Sequence, residues 1–204
     1  MQDWHREEKL PIKVQCLSHL AYWHREQENW KEARFLYVKA LWMCKRLSKE
    51  KDITLAESYH NLATVYYEQY APAYYKKAEA WYRVALKLSQ ELLGEEHLTI
   101  ATISTSLAKV YLLQERYENA QARLKMALNI KIKLLENHRQ IVQDMKLLGD
   151  INHLLKNYKE SKKWYSQALE MLKILIKKNH PSINNKDDEL IQELERKLDN
   201  LADV

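Results

Sequence analysis

The sequence predicts an all-α protein: a right-handed α-solenoid of four helical hairpins closed by a C-terminal capping helix. Three observations predict it. Two glycines and three prolines in 204 residues are too few for the many turns of a sheet protein. The abundant Ala, Leu, Lys, Glu and Gln are good helix formers. Small residues also recur on two independent rulers. Ala21, Ala63, Ala108 and Gly149 mark one, and Ala40, Ala85, Ala127 and Ala168 mark the other at nearly the same interval. A repeat of about 42 residues, two helices per unit, follows.

In chain order, residues 1–10 read as a short lead-in helix, and Pro11 opens the next helix at its first turn. Repeat 1 (11–50) has an apolar stripe of Val14, Leu17, Leu20, Ala21 and Trp23, a turn at Asn29, and a second helix from about Trp30. That helix turns Ala33, Tyr37, Ala40, Leu41 and Cys44 inward. Repeat 2 (53–94) carries Tyr59, Leu62, Ala63 and Tyr66, then Tyr75, Ala78, Tyr82 and Ala85. Repeat 3 (97–137) carries Leu107, Ala108 and Tyr111, then Tyr117, Ala120, Leu124 and Ala127. Repeat 4 (139–178) carries Leu148 and Gly149, then Tyr158, Ser161, Tyr165 and Ala168. The residues are small where two helices of a hairpin approach closely, since a larger side chain there costs on the order of 1–3 kcal/mol.

Two segments depart from the pattern. Ala78 follows Ala63 three positions later than Ala33 follows Ala21 or Ala120 follows Ala108. The three extra residues fall within 69–74, where Pro72 stops a helix. They read as a loop insertion, with a tyrosine-bearing knob on the groove rim as the alternative. Residues 184–204 read as the capping helix, started by Asp187 or Asp188, with a stripe of Leu190, Leu194, Leu198 and Leu201 opposed by Lys and Glu. A charged first helix and this cap together predict a complete stack.

These residues resemble the tetratricopeptide repeat, whose usual unit is about 34 residues long. The extra eight or so match two additional turns of helix. The connector Leu93-Gly94-Glu95-Glu96-His97-Leu98-Thr99-Ile100-Ala101 resembles the LG-x-x-H-P-x-x-A linker of kinesin-light-chain-type repeats, with Leu98 in place of the proline. Asn179-His180-Pro181 echoes it. The resemblance covers about residues 12–183 and makes capping or hydrogen bonding the expected role of His97 and His180.

The formal net charge of +5 is dispersed, with glutamates interleaved among the lysines, so a nucleic-acid partner is not expected. Cys16 and Cys44 read as buried, reduced thiols and point to a cytoplasmic protein. The charged N-terminus has no signal-peptide core, and no run approaches a membrane span. With glycines only at 94 and 149, no phosphate loop is possible. The eight histidines lack the spacing and carboxylate company of a metal site. The residues at 48–51 match an S-x-x-K pattern without its companion motifs. No catalytic residue, metal or cofactor is expected.

The family resemblance places ligands in a concave groove lined by the first helix of each hairpin. By the ruler, the groove candidates are Tyr22 and Arg25 in the first hairpin, His60, Asn61, Thr64 and Tyr67 in the second, Thr105, Lys109 and Leu112 in the third, and Lys146, Asp150 and His153 in the fourth. The same groove-facing set includes Gln15, Ser18, His19 and Glu26, then Glu57 and Glu68, then Thr102, Ser106 and Leu113, and Gln143. His60-Asn61-Leu62-Ala63 resembles the family's N-L-A stretch, whose asparagine contacts the ligand backbone. The lysine/asparagine set that clamps a C-terminal carboxylate in some members is not reproduced. Arg25, Lys109 and Lys146 suit an extended acidic peptide segment of a protein partner. The expectation is therefore a non-enzymatic interaction scaffold or adaptor. The alternative is a structural module that forms a homo-oligomer through its aromatic convex face or its capping helix. Trp30, Trp81 and Trp164 read as packing between repeats, and any exposed tryptophan as a patch for a partner.

Overall fold

The computed structural model describes residues 4–47, 52–136, 138–178 and 187–201. Among them the secondary structure consists of helices α1 (Trp4–Glu26), α2 (Trp30–Leu47), α3 (Ile53–Glu68), α4 (Pro72–Leu93), α5 (Leu98–Leu113), α6 (Tyr117–Leu135), α7 (Arg139–Leu154), α8 (Tyr158–Lys177) and α9 (Asp187–Asp199). The chain divides into two compact units, Met1–Gln114 and Glu115–Val204.

Helices begin and end where local chemistry dictates. The turn before each second helix contains one residue in the left-handed region: Glu28 (φ 59°), Tyr70 (φ 48°), Glu115 (φ 58°) and Lys156 (φ 60°). Helices α3, α5 and α7 are capped by side chains. Asp52 Oδ1 accepts from the Leu55 amide at 2.9 Å, His97 Nδ1 from the Thr99 amide at 3.1 Å, and His138 Nδ1 from the Gln140 amide at 3.2 Å. Each occupies one of the donors a helix start leaves unpaired. Capping is thus the role of His97; His180 and residues 48–51 lie outside the described residues.

In the first unit each helix packs on its sequence neighbour from α1 to α5, and α1, α3 and α5 also touch in series as an inner layer. Tyr37 and Tyr82 are buried beside the small residues of their hairpins. Four expectations need correction here. The first helix does not begin at Pro11: α1 runs unbroken through it from Trp4. A single proline forfeits one helical hydrogen bond, which the flanking turns tolerate. Leu20 and Trp23 are not core but 47% and 53% exposed, because the described residues place no helix before α1 to cover that face. Cys16, on the same face, is exposed as well, whereas Cys44 is buried; both thiols are free. Finally, the three extra residues of the second hairpin lengthen α4 rather than its loop. Pro72 begins α4 at its first turn, where its missing N–H costs nothing.

In the second unit α7 packs on α6 and α8, and α9 on α8. Gly149 stands where the other hairpins have alanine because the Tyr165 ring fills the space a Cβ needs. Ser161 Oγ donates to the Gly149 carbonyl at 2.8 Å. Leu194 and Leu201 of the capping segment are buried. Charged residues beside that leucine stripe tie α9 to α7. Asp187, itself buried, accepts from Arg139 Nε at 2.6 Å, and Lys146 Nζ lies 2.8 Å from Glu193 and Lys197 Nζ 2.6 Å from Asp150.

Candidate functional site

The inner layer of the first unit is where the ruler gathers polar side chains. Successive turns of α1 present Gln15, Ser18, His19 and Tyr22, and successive turns of α3 present Glu57 and Asn61. With Val14, Tyr37, Thr54 and Ser58 they line a cavity of about 420 Å³. Glu57 and Asn61 also wall a second cavity of about 300 Å³, completed by Ala56, His60, Leu98, Thr99, Thr102 and Ile103. The two cavities therefore lie in series across α1, α3 and α5, with Asn61 between them. Burial, reinforced by Asp52, holds the Glu57 carboxyl above the usual carboxylate range.

The far end of α1 and α3 is charged. Arg25 Nη2 lies 3.0 Å from Glu26 Oε1, and Nε lies 3.2 Å from Glu68 Oε2 without hydrogen-bond geometry. The guanidinium sits 4.6 Å above the Tyr22 ring. Burial raises the Glu68 carboxyl against the opposing pull of Arg25, and Lys109, exposed on α5, adds to that pull.

Other groove candidates are partly absorbed by the core. His60 is half-buried with its ring 5.3 Å from that of Tyr82, and Ser106 Oγ lies 3.5 Å from Nε2. Burial depresses its basicity. Thr64 Oγ1 donates to the His60 carbonyl at 3.0 Å and meets the Tyr82 hydroxyl at 2.9 Å. Tyr67 packs 5.9 Å from the Tyr70 ring, and burial pushes its phenol up to about 12. Thr105 and Leu112 are half-buried on α5.

In the second unit the inner face of α7 is occupied by α9. Lys146 pairs with Glu193, and Asp150 accepts from both Lys197 (2.6 Å) and the Tyr165 hydroxyl (2.7 Å). His153 is exposed and meets the Tyr158 ring edge-on at 5.4 Å. The structure thus brings Tyr22 and Asn61 to one cavity wall, and it commits Lys146 and Asp150 to the cap.

Sequence reasoning missed the lining residues Tyr37, Thr54, Leu98 and Thr99, and it missed His138 as the cap of α7. His138 follows His97 at one repeat interval, so the ruler alone carried that signal. Among the described residues no cluster of His, Cys, Asp or Glu is built to hold a metal, and no helix is long and apolar enough to cross a membrane.

Family models described as tetratricopeptide repeat match residues 14–52, 75–133 and 99–174, together more than half of the chain. A comparison with curated protein sequences finds no match. Among solved structures, BtubC (BKLC) from P. vanneervenii is similar with a TM-score of 0.84 and 22% identity, over 98% of this chain and 76% of that one. A putative kinesin light chain of Podosopora anserina, with nearly identical TPR-like repeats, gives 0.73 and 16%, over 94% of each chain. The apo form of RapI gives 0.70 and 18%, over 93% of this chain and 48% of that one. Helix order, hairpin chemistry and family models agree: the chain belongs to the tetratricopeptide-repeat family, in a fold similar to that of kinesin-light-chain-like repeat structures.

Proposed function

We propose that the chain is an adaptor that holds an extended, acidic peptide segment of a protein partner against the inner layer of its first unit, in the cytoplasm. Membership of the repeat family supports a protein–protein interaction scaffold, and such repeats are typical of non-enzymatic proteins. The observation that carries the finer reading is the pair of cavities in series across α1, α3 and α5, joined at Glu57 and Asn61. An extended strand presents side chains alternately, so two adjacent cavities take two side chains while an amide side chain between them bonds the peptide backbone. Asn61 stands at that place. A carboxylate of the ligand competes with Glu68 for Arg25, or pairs with Lys109.

Fluorescence-anisotropy titration of acidic, tryptophan-containing peptides against the wild type and an Asn61→Ala/Lys109→Glu double variant tests this. The expected result is saturable binding weakened on the order of 10- to 100-fold in the variant, the range for losing one backbone clamp and reversing one charge. Equal affinity in both proteins, or no saturable binding by the wild type, removes the reading.

A further inference from the structure

The first hairpin differs from the other three on the surface it turns to solvent. Measured from the small residue of each second helix, Phe35 corresponds to Ala80, Ala122 and Lys163. Val38 corresponds to Arg83, Lys125 and Ser166, and Trp42 to Lys87, Asn129 and Glu170. Only α2 fills these stations with large apolar side chains. Phe35, Val38 and Trp42 are 66%, 49% and 55% exposed. Their spacing of three and four residues makes one ridge along α2.

A second apolar face lies on α1. Cys16, Leu20 and Trp23 are exposed, while their counterparts Ser58, Leu62 and Val65, then Ile103, Leu107 and Val110, then Asp144, Leu148 and Ile151 are all buried. Those counterparts belong to α3, α5 and α7, which pack on the preceding second helices α2, α4 and α6. The α1 face therefore has the composition of a surface that receives a second helix. The α2 ridge is a second-helix surface with apolar side chains to offer.

We propose that the α1/α2 hairpin is a self-association surface, on which two copies of the chain pair about a twofold axis. The α1 face of each copy receives the α2 ridge of the other. One chain carries both halves, which is the requirement for a closed, isologous dimer. Size supports a second copy as the occupant. Ile12, Leu20, Trp23, Phe35, Val38 and Trp42 leave roughly 700 Å² of apolar surface in water, close to the ~800 Å² per partner of a standard interface. The surface lies on α1 and α2 opposite to their buried residues, so pairing leaves the peptide-facing cavities of the proposed function open.

Sedimentation velocity on the 204-residue chain across roughly 1–200 µM tests the pairing. The wild type is expected to shift from monomer to dimer with concentration. Phe35→Lys/Trp42→Lys, which installs residues the chain uses at the same places in other repeats, is expected to raise the dimer dissociation constant on the order of 100-fold. Trp23→Glu is expected to do the same from the other face. Circular dichroism melts of the variants should match the wild type, since these side chains are exposed, and peptide titration should be unchanged. A wild type that stays monomeric throughout, or a dimer indifferent to either variant, overturns the proposal.

Discussion

Lys131 Nζ lies 2.7 Å from Asp144 Oδ2 between α6 and α7, with the two side chains only 5% and 3% exposed. The ruler places Lys131 level with Cys44, Ser89 and Leu172, and Asp144 level with Cys16, Ser58 and Ile103. Between α2 and α3 the same station holds Cys44 Sγ 3.6 Å from Ser58 Oγ. A buried pair gains attraction in a poorly polarisable setting but pays desolvation for both charges. Lys131→Leu alone takes away the cation that lies against a buried carboxylate and is expected to cost about 3–5 kcal/mol in urea unfolding. Lys131→Leu/Asp144→Ile, using residues the chain itself places at that station, is expected to fall within about 1 kcal/mol of the wild type or above it. A double variant as unstable as the single one contradicts the desolvation argument.

Gly149→Ala is expected to destabilise, although alanine is the better helix former by about 1 kcal/mol. The new methyl overlaps the Tyr165 ring, whose hydroxyl is tethered to Asp150 at 2.7 Å and cannot swing freely aside. Overpacking of this kind costs about 1–3 kcal/mol, so a net loss near 1 kcal/mol is expected. Gly149→Ala/Tyr165→Leu should recover stability, because the third repeat places a leucine, Leu124, at the same station and an alanine, Ala108, at that of Gly149. Thermal melts of the three proteins decide it.

At Glu28 and Lys156 a side chain with a Cβ holds φ near 60°, a conformation disfavoured by about 1 kcal/mol except for glycine and asparagine. Glu28→Asn and Lys156→Asn are each expected to stabilise by roughly 0.3–1 kcal/mol. Asparagine is preferred to glycine because it adds little freedom to the unfolded chain. Additive gains in chemical denaturation would support two independent turns; a loss at either position would count against backbone strain there.

His60 sets a pH dependence. Burial lowers its pKa from 6.5, with the Asn61 hydrogen bond opposing. Below pH 6.5 the unfolded chain takes up a proton that the folded chain resists. Its contribution is therefore fully present above 6.5 and declines as pH falls toward the folded value, by at most about 1.4 kcal/mol per unit. Glu57 and Glu68, raised above 4.5, run the opposite way: their contribution is present at low pH and lost as pH rises through their folded values. Comparing wild type with His60→Gln at about pH 7.5 and about pH 5.5 isolates the histidine. The variant should lose less stability on acidification, and parallel losses would assign the effect elsewhere.

The repeat was legible because close helix approach tolerates only small residues, and Ala21, Ala63, Ala108 and Gly149 record those approaches directly. Periodicity also shows which face of a helix is apolar, but not what lies against it. Leu20 and Trp23 have the spacing of core residues and are exposed for want of a preceding helix among those described. Glu193 and Lys197, four apart on a charged helix, carry no local sign that α7 faces them. Asn61 was legible from its station on α3. Tyr37 and Thr54 were not, since one belongs to a second helix and the other precedes the recognised motif.

The series α1–α3–α5 also limits the reach of anything bound along it. Packed helices lie about 8–10 Å apart, so the two steps from α1 to α5 span about 20 Å between axes. An extended chain advances about 3.3 Å per residue, which makes the footprint about six residues long. That is the length of a short linear motif, of the kind carried by disordered tails and interdomain linkers. On this scale a peptide ligand of the proposed kind would contribute only a few residues of sequence, leaving the rest of its protein free to vary.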